Sequence, residues 1–378
     1  MINYKKLFSI VLKSIVVFSI LFCSCRINVT PKPAENLLPS NYIYVKDFST
    51  YIVNSEETEV SVHILDKDPD LSIIRKGLDA NKNKLVNIDL SECIDLFIVE
   101  KKAFENCSNL ISIILPDSLL QIYPYAFRFC TELKNIYFGE DLTIISEEAF
   151  DGCSKIEKLE FFKNLQYVGK LAFPLSMIDE IIISEENPTF GEYAKYHALI
   201  NSTTGELILG CNKTVIPEGV KKILYASMWS YNSTSLDIPS SVIEIKPGAF
   251  YCPNLISITV HNNNKVYDSR NNCNAILKTD ENRFIYGCKT TKIPDTVTII
   301  GNPDYPVFNK DCVPENLIIP ESVHTIENMA FYNLDLYEII VPSTVTTIGN
   351  NAFGGTYILI YNGPAEGSPW GAIEHRKE

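Results

Sequence analysis

Apolar residues recur along most of this chain with a period of about 23 residues, which indicates an internal repeat. Alanine–phenylalanine pairs mark the period, at Ala103-Phe104, Ala126-Phe127, Ala149-Phe150 and Ala172-Phe173. Cys107, Cys130 and Cys153 keep the same interval. Each unit also contains a stretch of the form Leu-x-x-Ile-x-Leu, whose alternation predicts a short strand.

A second recurring element is an aliphatic residue followed by proline. It occurs at Leu115-Pro116, Ile216-Pro217, Ile238-Pro239, Ile293-Pro294, Ile319-Pro320 and Val341-Pro342. Proline has no backbone N–H, so it suits the exit of a strand and the following turn rather than the paired centre. Further alanine–phenylalanine pairs at Ala249-Phe250, Ala330-Phe331 and Ala352-Phe353 extend the repeat almost to the C-terminus.

A longer variant of the unit occurs twice. Ala198 and Cys211 in the first copy match Ala275 and Cys288 in the second at one constant offset. Polar segments at residues 201–205 and 279–282 interrupt the apolar runs. These interruptions predict a wider, hairpin-like unit with turns at both segments.

A single unit buries too little apolar surface to fold alone, so the repeat predicts stacked units that stabilise one another. Residues 84–355 are assigned to this solenoid. Residues 41–83 do not follow the repeat and predict an N-terminal cap, with strands over 42–45 and 51–64 and a helix over 71–80. Residues 356–378 predict a C-terminal cap and tail, with a closing strand over 357–361.

The residues from Ala103 to Ile122 read Ala-Phe-x-x-Cys-x-x-Leu-x-x-Ile-x-Leu-Pro-x-Ser-Leu-x-x-Ile. This motif resembles the BspA-like, or treponemal-type, leucine-rich repeat, and the resemblance covers roughly residues 85–355. It implies a curved, right-handed stack of coils, α/β to mainly β, with one face of parallel strands. The family's usual repeat asparagine is absent, with Ser118 or Asp141 near its place. The resemblance also implies a surface or secreted protein that takes part in adhesion to host matrix proteins or in co-aggregation.

The N-terminus has the pattern of an export signal. Lys5 and Lys6 precede a mostly apolar run over residues 7–22, which is too short and too interrupted for a membrane span. The following Ser24-Cys25 resembles the cleavage and acylation site of a bacterial lipoprotein. We therefore expect a signal peptide over 1–24, a lipid on Cys25 and a tether over 25–40, with simple secretion as the alternative.

The charge of the chain disfavours a nucleic-acid partner. The formal net charge is −13, and removal of residues 1–24 takes away three lysines and no acids, which leaves −16. Binding to phosphates requires clustered lysine and arginine side chains. We expect no contact with nucleic acid.

The sequence contains few motifs for catalysis or metal binding. We therefore expect no enzymatic activity, no cofactor and no metal site. The five histidines are scattered, and no phosphate-binding glycine loop or nucleophile elbow is present. The acidic segment at residues 66–70 lacks the glycine and the final glutamate of a calcium loop, so a solvated turn is favoured. Cys107, Cys130 and Cys153 occupy an inward column, which favours buried thiols over disulfides.

The repeat does predict a surface. The variable positions of each strand point away from the core, and stacking aligns them in ladders. Tyrosine and isoleucine beside polar neighbours are typical of contact residues, although an ordinary strand surface has the same alternation. The candidate binding face comprises Ser112, Ile114, Asn135, Tyr137, Lys158 and Glu160.

Two functional hypotheses remain from the sequence. The first is an exported lipoprotein on the outer membrane or cell surface, which binds an extracellular protein, a glycan or another cell through this face. The second is a periplasmic lipoprotein with a structural or assembly role among envelope partners. An enzyme would need a polar pocket in the cap at residues 41–83.

Overall fold

The computed structural model describes residues 42–174, 177–229 and 231–377. These residues belong to one compact unit that runs from Ser40 to Glu378. Its buried apolar side chains form three clusters along the chain, all inside this unit. The predicted signal peptide, Cys25 and the tether lie outside the described residues and remain predictions, as do the domain boundaries.

The first part of the chain alternates long and short strands after two helices. The helices are α1 Phe48–Asn54 and α2 Leu71–Ala80. The strands are β1 Tyr42–Ile43, β2 Glu59–Ile64, β3 Leu85–Asp89, β4 Ile98–Val99, β5 Leu110–Ile114, β6 Gln121–Ile122, β7 Asn135–Tyr137, β8 Ile144–Ile145, β9 Lys158–Phe161, β10 Tyr167–Val168 and β11 Glu180–Ile183.

The repeat period sets the register between the coils. Ser112 lies opposite Asn135 in β5 and β7, and Gln121 lies opposite Ile144 in β6 and β8. Each pair is parallel and its members are one repeat period apart, so one repeat unit makes one turn. The predicted parallel-strand solenoid is confirmed, with about 14 turns and little helix.

The region before the repeat differs partly from its prediction. The helix predicted over 71–80 is confirmed as α2, and Asp70 caps it by accepting a hydrogen bond from the Ser72 N–H at 2.9 Å. The strand predicted from residue 51 is wrong at its start, because α1 covers residues 48–54. Phe48 and Ile52 are one helical turn apart and both are fully buried, so helical spacing places both side chains in the core.

The middle part contains the first wide unit. Its strands are β12 Leu199–Ile200, β13 Glu206–Leu209, β14 Lys222–Ile223, β15 Ser235–Ile238, β16 Glu244–Ile245, β17 Ser257–Val260 and β18 Tyr267–Asp268. β12 and β13 are antiparallel and are joined through residues 201–205, as the sequence predicts for a hairpin. β13 then pairs in parallel with β14, which returns the chain to the solenoid.

The last part repeats this arrangement. Its strands are β19 Ala275–Lys278, β20 Arg283–Gly287, β21 Ile299–Ile300, β22 Thr325–Ile326, β23 Glu338–Val341, β24 Thr347–Ile348, β25 Ile358–Tyr361 and β26 Glu374–Arg376. β19 and β20 form the second predicted hairpin, and β20, β21, β22 and β24 continue as a parallel sheet. The strand predicted over 357–361 corresponds to β25, but it is not the closing strand, because β26 pairs with it in parallel and forms the edge of this sheet.

The alanine–phenylalanine segments pack one phenyl ring onto the next. Phe104, Phe127, Phe150 and Phe173 are buried, and their rings are nearly parallel, with neighbouring centroids 4.8–5.0 Å apart. This distance is close to the spacing of neighbouring strands. The ring stack therefore follows from placing identical residues in register on successive coils.

The cysteine column confirms the prediction of buried thiols. All nine described cysteines are unpaired and buried. The Cys130 thiol donates to the carbonyl of Phe104 at 3.1 Å, and Cys153 donates to that of Phe127 at 3.0 Å. Each thiol thus satisfies a carbonyl of the preceding coil.

Buried asparagines hold two of the turns that precede the wide units. The Asn264 amide donates to the carbonyls of Pro239 and Val242, and Asn187 makes the same two types of bond to the preceding coil. Their carboxamide oxygens accept backbone N–H groups two and three residues on. The two asparagines are separated by the same offset as the wide units, so each wide unit has its own.

Candidate functional site

The predicted binding face is divided between two hydrogen-bonded sheets. Ser112 lies opposite Asn135, and Ile114 lies opposite Tyr137, within the sheet that ends at β7. Lys158 and Glu160 lie on β9 of the next coil, which pairs with β11 instead. The structure therefore brings four of the six residues together as cross-strand pairs and places the other two on the neighbouring coil.

Side chains on this face combine a ring with polar groups. The Tyr137 hydroxyl donates to the carboxylate of Asp117 at 3.0 Å, and its ring lies edge-on to Phe162 at 5.6 Å. Burial raises the pKa of Tyr137 above its ordinary value, and the Asp117 carboxylate adds to this effect. The phenol is therefore held neutral and in a fixed orientation.

Charged pairs lie on and beside this face, and one of them links successive coils. Lys158 lies 3.3 Å from Glu160, and Lys155 lies 2.5 Å from Glu132 of the preceding coil. Exposed pairs of this kind contribute only about 0–1 kcal/mol to stability. Their importance for a binding face is their alternating sign, which orients an approaching partner more than it strengthens the fold.

Two stacked tyrosines near the C-terminal end of the solenoid are a feature that the sequence analysis did not predict. Tyr337 is 71% exposed, and its ring stacks on Tyr357 with centroids 5.6 Å apart. Each tyrosine directly precedes a long strand, β23 or β25. Equal placement before two long strands that pair with each other is the sequence signal that could have identified the two tyrosines.

Metal-ligand clusters and reactive thiols were not predicted from the sequence, and the structure bears on both. Within residues 42–174, 177–229 and 231–377, no three histidine, cysteine or acidic side chains converge as metal ligands. Burial raises the pKa of the Cys93 and Cys107 thiols to about 12, so both are protonated and weak as nucleophiles. In the same part of the chain, no helix is both long and apolar enough to cross a membrane.

Several solved bacterial proteins are similar to the chain. A leucine-rich cell surface protein of Faecalibacterium prausnitzii A2-165 is 17% identical, with 81% of this chain and 82% of that one covered at a TM-score of 0.45. A leucine-rich repeat protein of Eubacterium ventriosum is 18% identical, with 69% and 63% covered at 0.39. The pneumococcal vaccine antigen PcpA is 20% identical, with 71% and 65% covered at 0.38.

The chain spans less than two thirds of the length of the E. ventriosum protein and of PcpA. No curated protein matches it. The family described as the BspA type leucine-rich repeat region matches in six copies, over residues 73–201, 209–302 and 304–362. The chain therefore belongs to the BspA-type leucine-rich repeat proteins.

Proposed function

We propose that this chain is an exported lipoprotein, anchored through Cys25 on the outer cell surface, that binds an extracellular protein through the strand face. The ligand is a host matrix protein or a protein on another cell. The observation that carries the proposal is the pairing of Ser112 with Asn135 and of Ile114 with Tyr137 on a continuous parallel sheet.

A rigid sheet suits this role because its side chains need little ordering when a partner binds. The backbone positions are fixed by ladder hydrogen bonds, and Tyr137 is further fixed by Asp117. Preorganisation of this kind reduces the entropic cost of association. Tyrosine is also among the residues that most often dominate binding energy at protein interfaces.

The proposed location rests on the sequence and on the family. The Lys5-Lys6 end, the apolar run and Ser24-Cys25 support export and acylation. The cell surface protein of F. prausnitzii supports the same location by its description. The high negative charge supports a protein ligand with basic patches, since complementary charge steers association.

The test is binding of the chain from residue 26 onward to a panel of immobilised matrix proteins, at low and at physiological salt. This segment includes the whole compact unit from Ser40 to Glu378. The variant carries Ile114→Ala, Tyr137→Ala and Glu160→Ala together, and Ile243→Ala is the control on an exposed isoleucine elsewhere.

We expect saturable binding that persists at physiological salt, a loss of about tenfold or more in the triple variant, and no change in the control. Circular dichroism establishes that both variants are folded. Absence of binding to every matrix protein by the folded chain contradicts the matrix ligand. Equal binding by the triple variant contradicts the strand face as the site.

A further inference from the structure

A pocket of about 350 Å³ opens among segments of four coils, two of which carry the pairs Ala249-Phe250 and Ala330-Phe331. These segments follow the short strands, so the pocket lies apart from the outward positions of the long strands. Seven aromatic side chains line it together with three carboxamides. The aromatic members are Trp229, Phe250, Tyr251, Tyr286, Tyr305, Phe308 and Tyr332.

An insertion in one coil creates the pocket. Phe331 follows Ile326 by five positions, whereas the corresponding Phe308 follows Ile300 by eight. The additional residues form a tight loop in which the Tyr305 N–H donates to the carbonyl of Asn302 at 2.8 Å. The loop carries the Tyr305 ring outward, next to coils that precede it in the stack.

The aromatic walls are held in place by contacts behind them. The Trp229 indole N–H donates to the carbonyl of Gly248 at 2.8 Å. Tyr225 packs against both Trp229 and Tyr305, with ring centroids 5.5 and 5.6 Å away, and Lys170 lies 4.5 Å from the centre of the Tyr225 ring. The walls are thus formed before any ligand arrives.

Glycine is required where two of the rings approach the backbone. Gly248 has a φ of +70°, and a Cβ there would lie 2.6 Å from the Tyr305 ring and 2.8 Å from the Tyr225 ring. A larger residue would therefore strain the backbone and displace the walls. The glycine permits close packing of the pocket.

Tyr251 and Tyr332 are exposed at the pocket and share a sequence context. Each follows an alanine–phenylalanine pair, and the other five pairs are followed by glutamate, arginine, aspartate, proline or glycine. The two side chains are 39% and 40% exposed. Among the seven alanine–phenylalanine pairs, tyrosine follows only the two whose coils line the pocket.

The polar lining is made of carboxamides, one of which has an unused donor. Asn302, Asn309 and Asn333 line the pocket, and Lys310 is the one charged side chain among its described lining residues. Asn309 is only 5% exposed, and its carboxamide oxygen accepts the Asp311 N–H at 3.1 Å. Its amide nitrogen has no hydrogen-bond partner within the described residues.

We propose that this pocket binds one or two sugar units of a neutral oligosaccharide. One face of a sugar ring consists of C–H groups that pack flat on the electron-rich face of an aromatic ring. Sugar hydroxyls donate and accept, and a carboxamide offers both a donor and an acceptor. A volume of about 350 Å³ lies at the lower end for small-molecule sites, roughly 300–1,000 Å³.

A proline-rich peptide is the other ligand that aromatic walls accept. Such peptides lie extended, at about 3 Å per residue, along an open groove. A compact pocket with three carboxamides fits a sugar better. The polar contacts come mainly from three carboxamides, with Lys310 as the one charged side chain of the described lining, and carboxamides suit the hydroxyls of a neutral sugar.

The site goes beyond the proposed strand-face function, and the two can fail separately. The test begins with binding of the chain from residue 26 onward to a printed array of host and bacterial oligosaccharides. A sugar that binds is then titrated in free form against protein labelled with 5-fluorotryptophan. The chain has two tryptophans, Trp229 in the pocket and the buried Trp370, so fluorine NMR gives one resonance for each.

We expect the Trp229 resonance to move and the Trp370 resonance to stay in place. Tyr251→Ala and Tyr332→Ala should each weaken binding by roughly tenfold, since each removes a stacking ring. Tyr251→Phe and Tyr332→Phe keep the ring and should keep most of the affinity. Tyr337→Ala, an exposed tyrosine that does not line the pocket, should leave binding unchanged.

Three results would overturn the proposal. They are the absence of any bound sugar on the array, an equal loss of binding in Tyr337→Ala, and a Trp229 shift caused by a proline-rich peptide but by no sugar. The triple strand-face variant should bind the sugar normally. Loss of matrix-protein binding with intact sugar binding therefore bears on the strand face alone.

Discussion

Replacement of Phe127 by alanine tests whether the ring stack holds the solenoid together. Phe127 is fully buried, and its ring lies 5.0 Å from Phe104 and 4.9 Å from Phe150. It therefore contacts both neighbouring coils. Removal of the ring leaves a cavity that the coils can close only by shifting their register.

The expected cost is about 4 kcal/mol, because replacement of a buried phenylalanine by alanine typically destabilises by about 3–5 kcal/mol, which includes the cavity. Loss of two stacked ring pairs keeps Phe127 above the lower end of this range, because such pairs contribute about 0.5–1.5 kcal/mol each beyond buried area.

The assay is urea unfolding of the chain from residue 26 onward, followed by circular dichroism and by tryptophan fluorescence. Circular dichroism reports the whole array, whereas Trp229 and Trp370 report only the part after residue 228. Because coils contact only their neighbours, we expect the dichroism midpoint to fall more than the fluorescence midpoint in Phe127→Ala.

Phe129→Ala is the matched control. Phe129 lies on the same turn but is 40% exposed, beside the Arg128 guanidinium at 4.5 Å. We expect this change to cost less than about 1 kcal/mol. Equal losses in the two variants, or a loss in Phe127→Ala as small as that expected for the control, would refute the stack as a stabilising element.

Three further predictions test separate parts of the account. Cys25→Ala should release the protein from the membrane fraction into the soluble fraction, measured by immunoblot after cell fractionation. Asn264→Ala should lower the free energy of unfolding by about 3 kcal/mol, because it leaves buried backbone groups unpaired, whereas Asn262→Ala, which is exposed, should have little effect in the same urea assay. The Cys93 and Cys107 thiols should resist a thiol reagent in the folded chain and react in urea. Burial raises the pKa of both thiols from 9.0 to about 12, so the folded state favours their protonated form. Their contribution to the free energy of unfolding is therefore complete below pH 9 and is lost as the pH rises toward 12.

The stacked coils were predictable because a single period governs them. Once Phe104 and Phe127 are placed in register, the parallel pairing, the ring stack and the inward thiols follow. The hairpins were predictable for the same reason, since polar interruptions occur twice at one offset. The helix α1 was not, because its residues Tyr51-Ile52-Val53 include β-branched side chains typical of strands. Packing of α1 on α2 overrides that preference.

The sites are less visible in the sequence than the fold. The repeat period predicted that Ser112 and Asn135 lie side by side on successive coils, and the structure pairs them. The separation of β7 from β9 depends on backbone pairing that no local pattern determines. The pocket combines Trp229, Tyr251 and Tyr332 from different coils. The repeated Ala-Phe-Tyr sequence and the insertion before Phe308 are visible in the sequence and could have indicated the pocket. That these aromatic side chains converge, however, depends on the geometry of the solenoid.

Accessibility on intact cells tests the surface-lipoprotein proposal most directly. Cells that express the full-length chain are treated with a membrane-impermeant, amine-reactive biotin reagent, and labelled lysines are identified by mass spectrometry. Lys155 and Lys158 are suitable reporters, because their side chains are 53% and 52% exposed on or beside the strand face. We predict that both are labelled on intact cells while a periplasmic marker protein is not. Labelling of Lys155 and Lys158 only after lysis would contradict surface display and favour the periplasmic assembly role.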